Sequence, residues 1–172
     1  MNIIKCIAFL ILTAAAIALI AAAWLPKTFH AGSAIVIDKP SPEVFDYIKQ
    51  LKLQGNYDNW SRKDPNLKKE FAGKDGAIGS SYSWRSNKIG TGKQIITDIE
   101  QGKRVSMVIY LQGLQHPNIA FIQVDSLTAD ASLVAWEIDG KLPFPFNIIP
   151  QFYDMNKDFS ASLERLKTIL EK

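Results

Sequence analysis

The sequence contains few of the side chains on which most catalytic and metal sites depend. It has one cysteine, Cys6, and two histidines, His30 and His116. A structural zinc site needs several thiolate or imidazole ligands, which these residues do not supply. A single cysteine also excludes an intrachain disulfide and leaves the cellular compartment open. Neither histidine lies in a nucleophile or zinc-protease motif, so we interpret both as exposed polar residues.

Neither basic nor acidic residues are in large excess. Twenty basic and 17 acidic residues give a net charge of +3, which is too small and too mixed to indicate a nucleic-acid partner. The pair Lys68 and Lys69 is typical of a solvated face, and we interpret Asp154 and Asp158 as solvated as well. The sequence therefore predicts no catalytic residue, no cofactor and no metal.

An uncharged apolar run occupies the N-terminus. Residues 6–25 carry no charge, and Thr13 is their one polar side chain. About twenty such residues match the thickness of a bilayer core, and Trp24 suits the interface at its far edge. We predict a single transmembrane anchor in residues 1–26, followed by a folded domain in residues 27–172.

A cleaved signal peptide is the alternative for this segment. Lys5 would supply its positive region, and Ala21 to Ala23 offer small residues for a peptidase. The apolar run exceeds the 7–15 residues typical of a signal, which favours the anchor. Basic residues barely distinguish the two orientations, but we interpret the N-terminus as inside and the domain as extracytoplasmic. Cleavage would make the protein secreted or periplasmic.

Seven segments of the domain have the composition and spacing of β-strands. They are 28–37, 68–71, 80–85, 90–100, 104–111, 118–126 and 133–139. The turns between the later segments are too short for crossover connections, so we predict an antiparallel sheet. A short helix begins near Ser41, whose hydroxyl can cap it, with Pro42 in its first turn.

The last segment predicts a long amphipathic helix that starts at Asn147 as its N-cap, with Pro150 in the first turn. An apolar stripe follows steps of four and three through Ile148, Phe152, Met155, Phe159, Leu163, Leu166 and Leu170. At 1.5 Å per residue this helix would be roughly 35 Å long. The fold class is then α+β: a curved antiparallel sheet of about seven strands around a long C-terminal helix, with an apolar cavity between them.

Several phrases of the sequence resemble one known family. They are IVIDKPSPEVFDYI, NWSRKDPN, GSSYSW, IGTGKQIIT and LVAWEIDGKLPFPFN. Over residues 28–172 the chain resembles the polyketide cyclase/dehydrase branch of the SRPBCC superfamily, with its START-like, birch-pollen-allergen-like helix-grip fold. The resemblance implies that Trp60 and Ser61 lie at the cavity mouth, although Arg62 stands where many relatives have a Pro-Trp pair. Members with an N-terminal apolar anchor are familiar in this branch.

Aromatic side chains dominate the candidate ligand site. Tyr82 and Trp84 share one strand face, and Tyr110 and Phe121 can join Trp136 if the strand registers allow it. Ligand pockets are mostly apolar with few polar groups, which is the composition found here. The predicted ligand-binding residues are Trp60, Tyr82, Trp84, Tyr110, Phe121, Trp136, Phe152, Met155 and Phe159.

These features favour a membrane-tethered module that binds a hydrophobic small molecule, such as a lipid, a quinone or a polyketide-like compound. Its partners would be the membrane and that ligand. The resemblance also implies an alternative, a cyclase or dehydratase in which Tyr82, Tyr110 or Tyr153 moves protons. A further alternative is an envelope interaction scaffold with a filled core and no ligand.

Overall fold

Alternating apolar residues in the middle of the chain pair into one seven-stranded sheet in the computed structural model, which describes residues 3–172. The strands are β1 (Thr28–Ile37), β2 (Lys68–Ala72), β3 (Ser81–Ser86), β4 (Gly90–Glu100), β5 (Arg104–Leu111), β6 (Asn118–Thr128) and β7 (Ala131–Lys141). The helices are α1 (Ile3–Trp24), α2 (Ser41–Ile48), α3 (Leu51–Tyr57), α4 (Asn59–Lys63) and α5 (Met155–Leu170).

The strand order is β1-β7-β6-β5-β4-β3-β2, and every neighbouring pair is antiparallel. Strands β2 to β7 form a meander, while helices α2 to α4 carry the chain from β1 to the opposite edge. A register shift between Ile96 and Asp98 interrupts the pairing of β4 with β5. Because such irregularities bend a strand, they help to curve the sheet. The predicted antiparallel sheet is confirmed.

The C-terminal helix is shorter than the sequence pattern predicted. Residues Phe146–Gln151 form a 3₁₀-helix that contains Pro150, and α5 begins only at Met155. Proline lacks the N–H of a helical interior, whereas the Asp154 side chain accepts a hydrogen bond from the Asn156 N–H and caps α5. Asn147 is therefore not the N-cap of α5.

From Met155 onward the predicted apolar stripe of the helix is present. Phe159, Leu163 and Leu166 are buried on it. The sixteen residues of α5 extend about 24 Å, and the helix packs mainly against β1. On its other side it meets α3 and α4. The helix therefore covers one end of the concave face of the sheet.

Two short helices that the sequence analysis did not predict, α3 and α4, lie within residues 51–63. Asp58 ends α3 and caps α4, and its side chain accepts a hydrogen bond from the Ser61 N–H. The capping predicted for Ser41 is wrong, because Pro40 occupies the cap position of α2 and no side chain caps it. The short α4 brings Trp60 against the core.

The N-terminal helix α1 is long and apolar enough to cross a membrane, and a signal sequence meets the same criterion. Its side chains are mostly exposed, and Ala22 is its buried residue in the part of the chain that the structure describes. Ala22 is close to the 3₁₀-helix Phe146–Gln151, which α1 contacts. The rest of the chain therefore contacts α1 near the C-terminal end of that helix.

Candidate ligand cavity

A cavity of about 310 Å³ lies between the concave face of the sheet and α5. The helix covers the β1 end of the sheet, so the inner faces of β3, β4 and β5 border open space instead of the helix. Helix α4 and residues 142–153 close other sides. The apolar walls are Phe29, Trp60, Leu67, Tyr82, Trp84, Ile89, Ile109, Leu111, Leu114, Ala120, Trp136, Ile138, Leu142, Ile149, Tyr153, Met155 and Phe159.

Six of the nine predicted ligand-binding residues line this cavity: Trp60, Tyr82, Trp84, Trp136, Met155 and Phe159. Three of them form one aromatic cluster, in which the rings of Trp60, Trp136 and Phe159 lie 5.0–5.8 Å apart between centroids. All three pairs meet edge to face, a favourable arrangement for aromatic rings. The cluster therefore connects α4, β7 and α5.

The structure places Tyr110, Phe121 and Phe152 outside the cavity. In β5 the inner face is occupied by Ile109 and Leu111, so Tyr110 points to the convex face and is 48% exposed. Phe121 also lies on the convex face, where the Arg104 guanidinium stacks 4.5 Å from its ring centroid. Phe152 precedes the true start of α5 and is 84% exposed.

Gly92 determines how Trp84 lies in the cavity. The two residues are cross-strand neighbours in β3 and β4. A β-carbon at position 92 would collide with the Trp84 ring and would lie 2.6 Å from the Tyr110 carbonyl oxygen. Glycine at this position therefore lets the indole pack directly against β4.

A buried amide pair lies in the cavity wall. The Gln94 Nε2 donates to Gln54 Oε1 at 2.8 Å, and both side chains are 3% exposed. The Tyr82 hydroxyl lies 3.5 Å from Gln94 Oε1. Burial raises the pKa of Tyr82 well above its ordinary value, so this hydroxyl is neutral at physiological pH. The sequence did contain a signal for Gln94, since it is in phase with the buried Ile96 on the same strand.

A buried ion pair borders the same cavity. The Lys69 ammonium lies 3.4 Å from Asp58 Oδ2, donates to Ser61 Oγ at 2.6 Å, and sits 4.8 Å from the centroid of the Tyr82 ring. Its side chain is 15% exposed and that of Asp58 is 4% exposed. The prediction that Lys69 belongs to a solvated face is therefore wrong.

A second polar network lies where α5 begins. Lys63 Nζ contacts Asp158 Oδ1 at 2.7 Å and the Tyr153 hydroxyl at 2.5 Å, and the Tyr153 hydroxyl donates to Asp158. Burial alone would raise the pKa of Asp158, but hydrogen bonds from Lys63, Tyr153 and Asn59 outweigh it and hold that pKa below its ordinary value. The prediction that Asp158 is solvated is wrong, because this carboxylate is only 6% exposed.

Two polar atoms of the cavity walls lack a hydrogen-bond partner within residues 3–172. They are the Trp84 indole Nε1 and the Asn118 amide Oδ1, both shielded from solvent. Asn118 is only 1% exposed and shares its strand face with Ala120 and Ile122. Buried polar atoms are normally paired, so these two atoms are exceptions in the cavity walls.

The two histidines lie away from the cavity. His30 is on the convex face, with its Nδ1 3.0 Å from Asp139 and its Nε2 4.0 Å from Glu137, and its side chain is 59% exposed. His116 is exposed in the loop before β6. Among the described residues, no group of three or more His, Cys, Asp or Glu side chains is arranged to hold a metal ion.

Comparison with known proteins identifies the fold. No protein-family model and no curated protein match the sequence. Solved structures do match. Norcoclaurine synthase from Thalictrum flavum aligns with a TM-score of 0.63 and 11% identity over 84% of this chain and 87% of the synthase.

Two bacterial structures are similar to the same extent. The Aha1 protein of Colwellia psychrerythraea aligns with a TM-score of 0.59 and 14% identity over 83% of this chain and 96% of its own. A protein from Chromobacterium violaceum gives 0.59 and 15% over 86% and 99%. These likenesses show a Bet v1-like helix-grip fold, and they confirm the predicted fold. At such low identity they carry no information on activity.

Proposed function

We propose that this protein is a membrane-tethered module that binds a hydrophobic small molecule in the cavity beneath α5. The observation that carries this proposal is an apolar cavity of about 310 Å³ whose walls are mainly aromatic and aliphatic side chains. Ligand sites are typically about 300–1,000 Å³ and lined in this way. The size suits a compact ligand or one section of a longer lipid.

The free energy of binding would come mainly from desolvation. Apolar surface that leaves water contributes about 25 cal/mol per Å², so burying about 200 Å² of a ligand favours binding by about 5 kcal/mol before ordering costs. Bet v1-like proteins generally bind hydrophobic ligands. One structure of norcoclaurine synthase holds dopamine and hydroxybenzaldehyde, which are small aromatic molecules.

The tether in this proposal is α1, which would keep the domain, residues 27–172, on the extracytoplasmic side of a membrane. Its length and apolar composition support a membrane span. A hydrophobic ligand is concentrated in a bilayer, so an anchored binding domain remains close to its source. Lipids, quinones and polyketide-like compounds all fit this description.

The proposal is tested by two substitutions of neighbouring residues on β5. Ile109 lines the cavity and Tyr110 points away from it. Ile109→Trp should fill part of the cavity and weaken binding of dansyl-undecanoic acid at least tenfold, whereas Tyr110→Trp should leave the affinity within twofold. Titrations of the full-length protein in detergent micelles measure both. An absence of saturable binding to the wild-type protein, or equal binding by Ile109→Trp, would contradict the proposal.

The Tyr153 network supports one alternative function, a cyclase or dehydratase that moves protons. Tyr153 lines the cavity, and its hydroxyl contacts both Lys63 and Asp158. Burial and the Asp158 carboxylate raise the pKa of Tyr153, with Lys63 opposing them, so this hydroxyl would act as a general acid and not as a base. This role is tested by incubating a candidate polyketone with the wild-type protein and, separately, with the Tyr153→Phe variant. Equal rates with both proteins would exclude the role.

A further inference from the structure

Residues 142–153, here called the proximal loop, form an apolar surface on the domain. No residue of the proximal loop is charged, although Lys141 precedes it and Asp154 follows it. Its three phenylalanines are exposed: Phe144 by 48%, Phe146 by 55% and Phe152 by 84%. Large exposed side chains elsewhere in the domain, such as Ile78 and Leu127, stand singly on separate segments. Concentrated apolar exposure marks a surface that meets another apolar phase.

The proximal loop is fastened to the end of α1. The buried Asn147 side chain donates from Nδ2 to the Ala22 carbonyl oxygen at 2.7 Å and to the Leu25 carbonyl oxygen at 3.0 Å. Trp24, which is 88% exposed, lies between these two acceptors in the sequence. In a membrane-spanning α1 of roughly 33 Å, Trp24 falls at the headgroup level. Asn147 and the adjacent Phe146 are held at that same level.

The proximal loop is also one wall of the cavity. Leu142, Ile149 and Tyr153 of this loop line the cavity. Phe144, Phe146 and Phe152 belong to the same loop and are exposed. We infer that the proximal loop seats its phenylalanines in the surface of the same bilayer that α1 spans, so that the cavity receives its ligand directly from the lipid phase. This inference rests on the proposed function.

A bilayer is the occupant that these observations favour. The loop carries no charge that would select a polar protein partner, and it is continuous through Asn147 with the helix that would lie in the membrane. Phenylalanines at the level of an interfacial tryptophan have lipid as their nearest apolar neighbour. A second copy of the chain is the competing occupant.

Spin labels measure this directly. In the full-length protein with Cys6→Ala, single cysteines replace Phe146 or Phe152 in the proximal loop, and Ile78 or Leu127 as controls of comparable exposure. All four are labelled after reconstitution into phosphatidylcholine vesicles. We expect the loop labels to collide at least threefold more often with oxygen than with a water-soluble nickel complex, and the control labels to show the opposite preference.

The result that overturns the inference is a loop label with the same preference as the controls. Labels shielded from both reagents would also overturn it, because they indicate a protein partner. Since Phe146 and Phe152 are exposed, their replacement leaves the core intact, and circular dichroism checks the fold of each variant.

A second measurement tests loading from the bilayer. The double variant Phe146→Glu and Phe152→Glu should take up dansyl-undecanoic acid from vesicles at least tenfold more slowly than the wild type. The affinity of this variant for the same probe in micelles should change less than twofold. The control carries Ile78→Glu with Leu127→Glu and should load at the wild-type rate. Equal loading by both pairs would overturn direct loading. A wild-type protein that binds no probe overturns the proposed function and, with it, direct loading. The seating of the proximal loop in the bilayer is tested separately, because the spin-label comparison needs no ligand.

Discussion

Lys69 and Asp58 form an ion pair at the cavity wall, with Nζ and Oδ2 3.4 Å apart and little exposure to solvent. Asp58 also caps α4, and Lys69 also donates to Ser61 on that helix. The pair therefore connects β2 to the helix that carries Trp60. Both the stability of the protein and the shape of the cavity therefore depend on Lys69 and Asp58.

Replacing Lys69 with methionine should destabilise the protein strongly. Removing one partner leaves the Asp58 carboxylate buried without its counter-charge, which typically costs about 3 kcal/mol or more of the free energy of unfolding. Urea denaturation of the full-length protein in micelles measures this. Lys68→Met is the matched control, because Lys68 is exposed on the same strand, and it should change stability by less than about 0.5 kcal/mol. A loss below 1 kcal/mol in Lys69→Met would show that the pair is solvated.

The Asp158 network predicts a particular dependence of stability on pH. The pKa of Asp158 is lowered in the folded protein, so its carboxylate stabilises the fold fully above about pH 4, the ordinary pKa of aspartate. This stabilisation is lost as the pH falls through the lower pKa of the folded state. The difference in unfolding free energy between wild type and Asp158→Asn should be about 1–3 kcal/mol and constant between pH 5 and 7. Below pH 4 it should shrink.

Denaturation curves at several pH values measure that difference. Asp130→Asn, in the exposed turn before β7, controls for the change in net charge and should follow the wild-type curve. A constant difference down to pH 2.5 would mean that Asp158 supports the fold by packing and not by its charge.

Asn118→Leu should separate ligand recognition from stability. The Asn118 Oδ1 is buried without a partner, so a leucine of similar volume should leave the free energy of unfolding unchanged or raise it by about 1 kcal/mol. A ligand that uses this amide for a hydrogen bond should then bind about fivefold to tenfold more weakly. Denaturation and probe titration of the same variant measure both quantities. A clear loss of stability would indicate that the amide is already satisfied in the folded protein.

Gly92→Ala should move the Trp84 indole. The added β-carbon collides with that ring and with the Tyr110 carbonyl oxygen, and overpacking of this kind costs about 1–3 kcal/mol. Near-ultraviolet circular dichroism should change, and probe affinity should fall, because Trp84 lines the cavity. Thr91→Ala, one residue away, serves as the control. An unchanged spectrum in Gly92→Ala would mean that the sheet relaxes without moving the ring.

Local patterns were enough to predict the strands and the fold. Strands β1, β4 and β5 begin and end where the sequence indicated, because turn residues and alternating apolar residues act over short distances. The start of α5 was not predicted correctly. The apolar stripe continues back to Ile148, so its spacing alone predicts an earlier start. Pro150 and the Asp154 cap separate the 3₁₀-helix from α5, and the spacing of apolar residues does not indicate this break.

The sequence by itself determined that the domain has a seven-stranded antiparallel sheet, a C-terminal helix and an aromatic inner surface. Tertiary structure alone decided which aromatic residues face the cavity, because β5 and β6 carry apolar residues at consecutive positions and alternation then assigns no face. Tyr110 and Phe121 point outward for this reason. Tertiary structure also decided the partners of Lys69 and Asp158, since an ion pair depends on the distance between charges in space, which their separation along the chain does not fix.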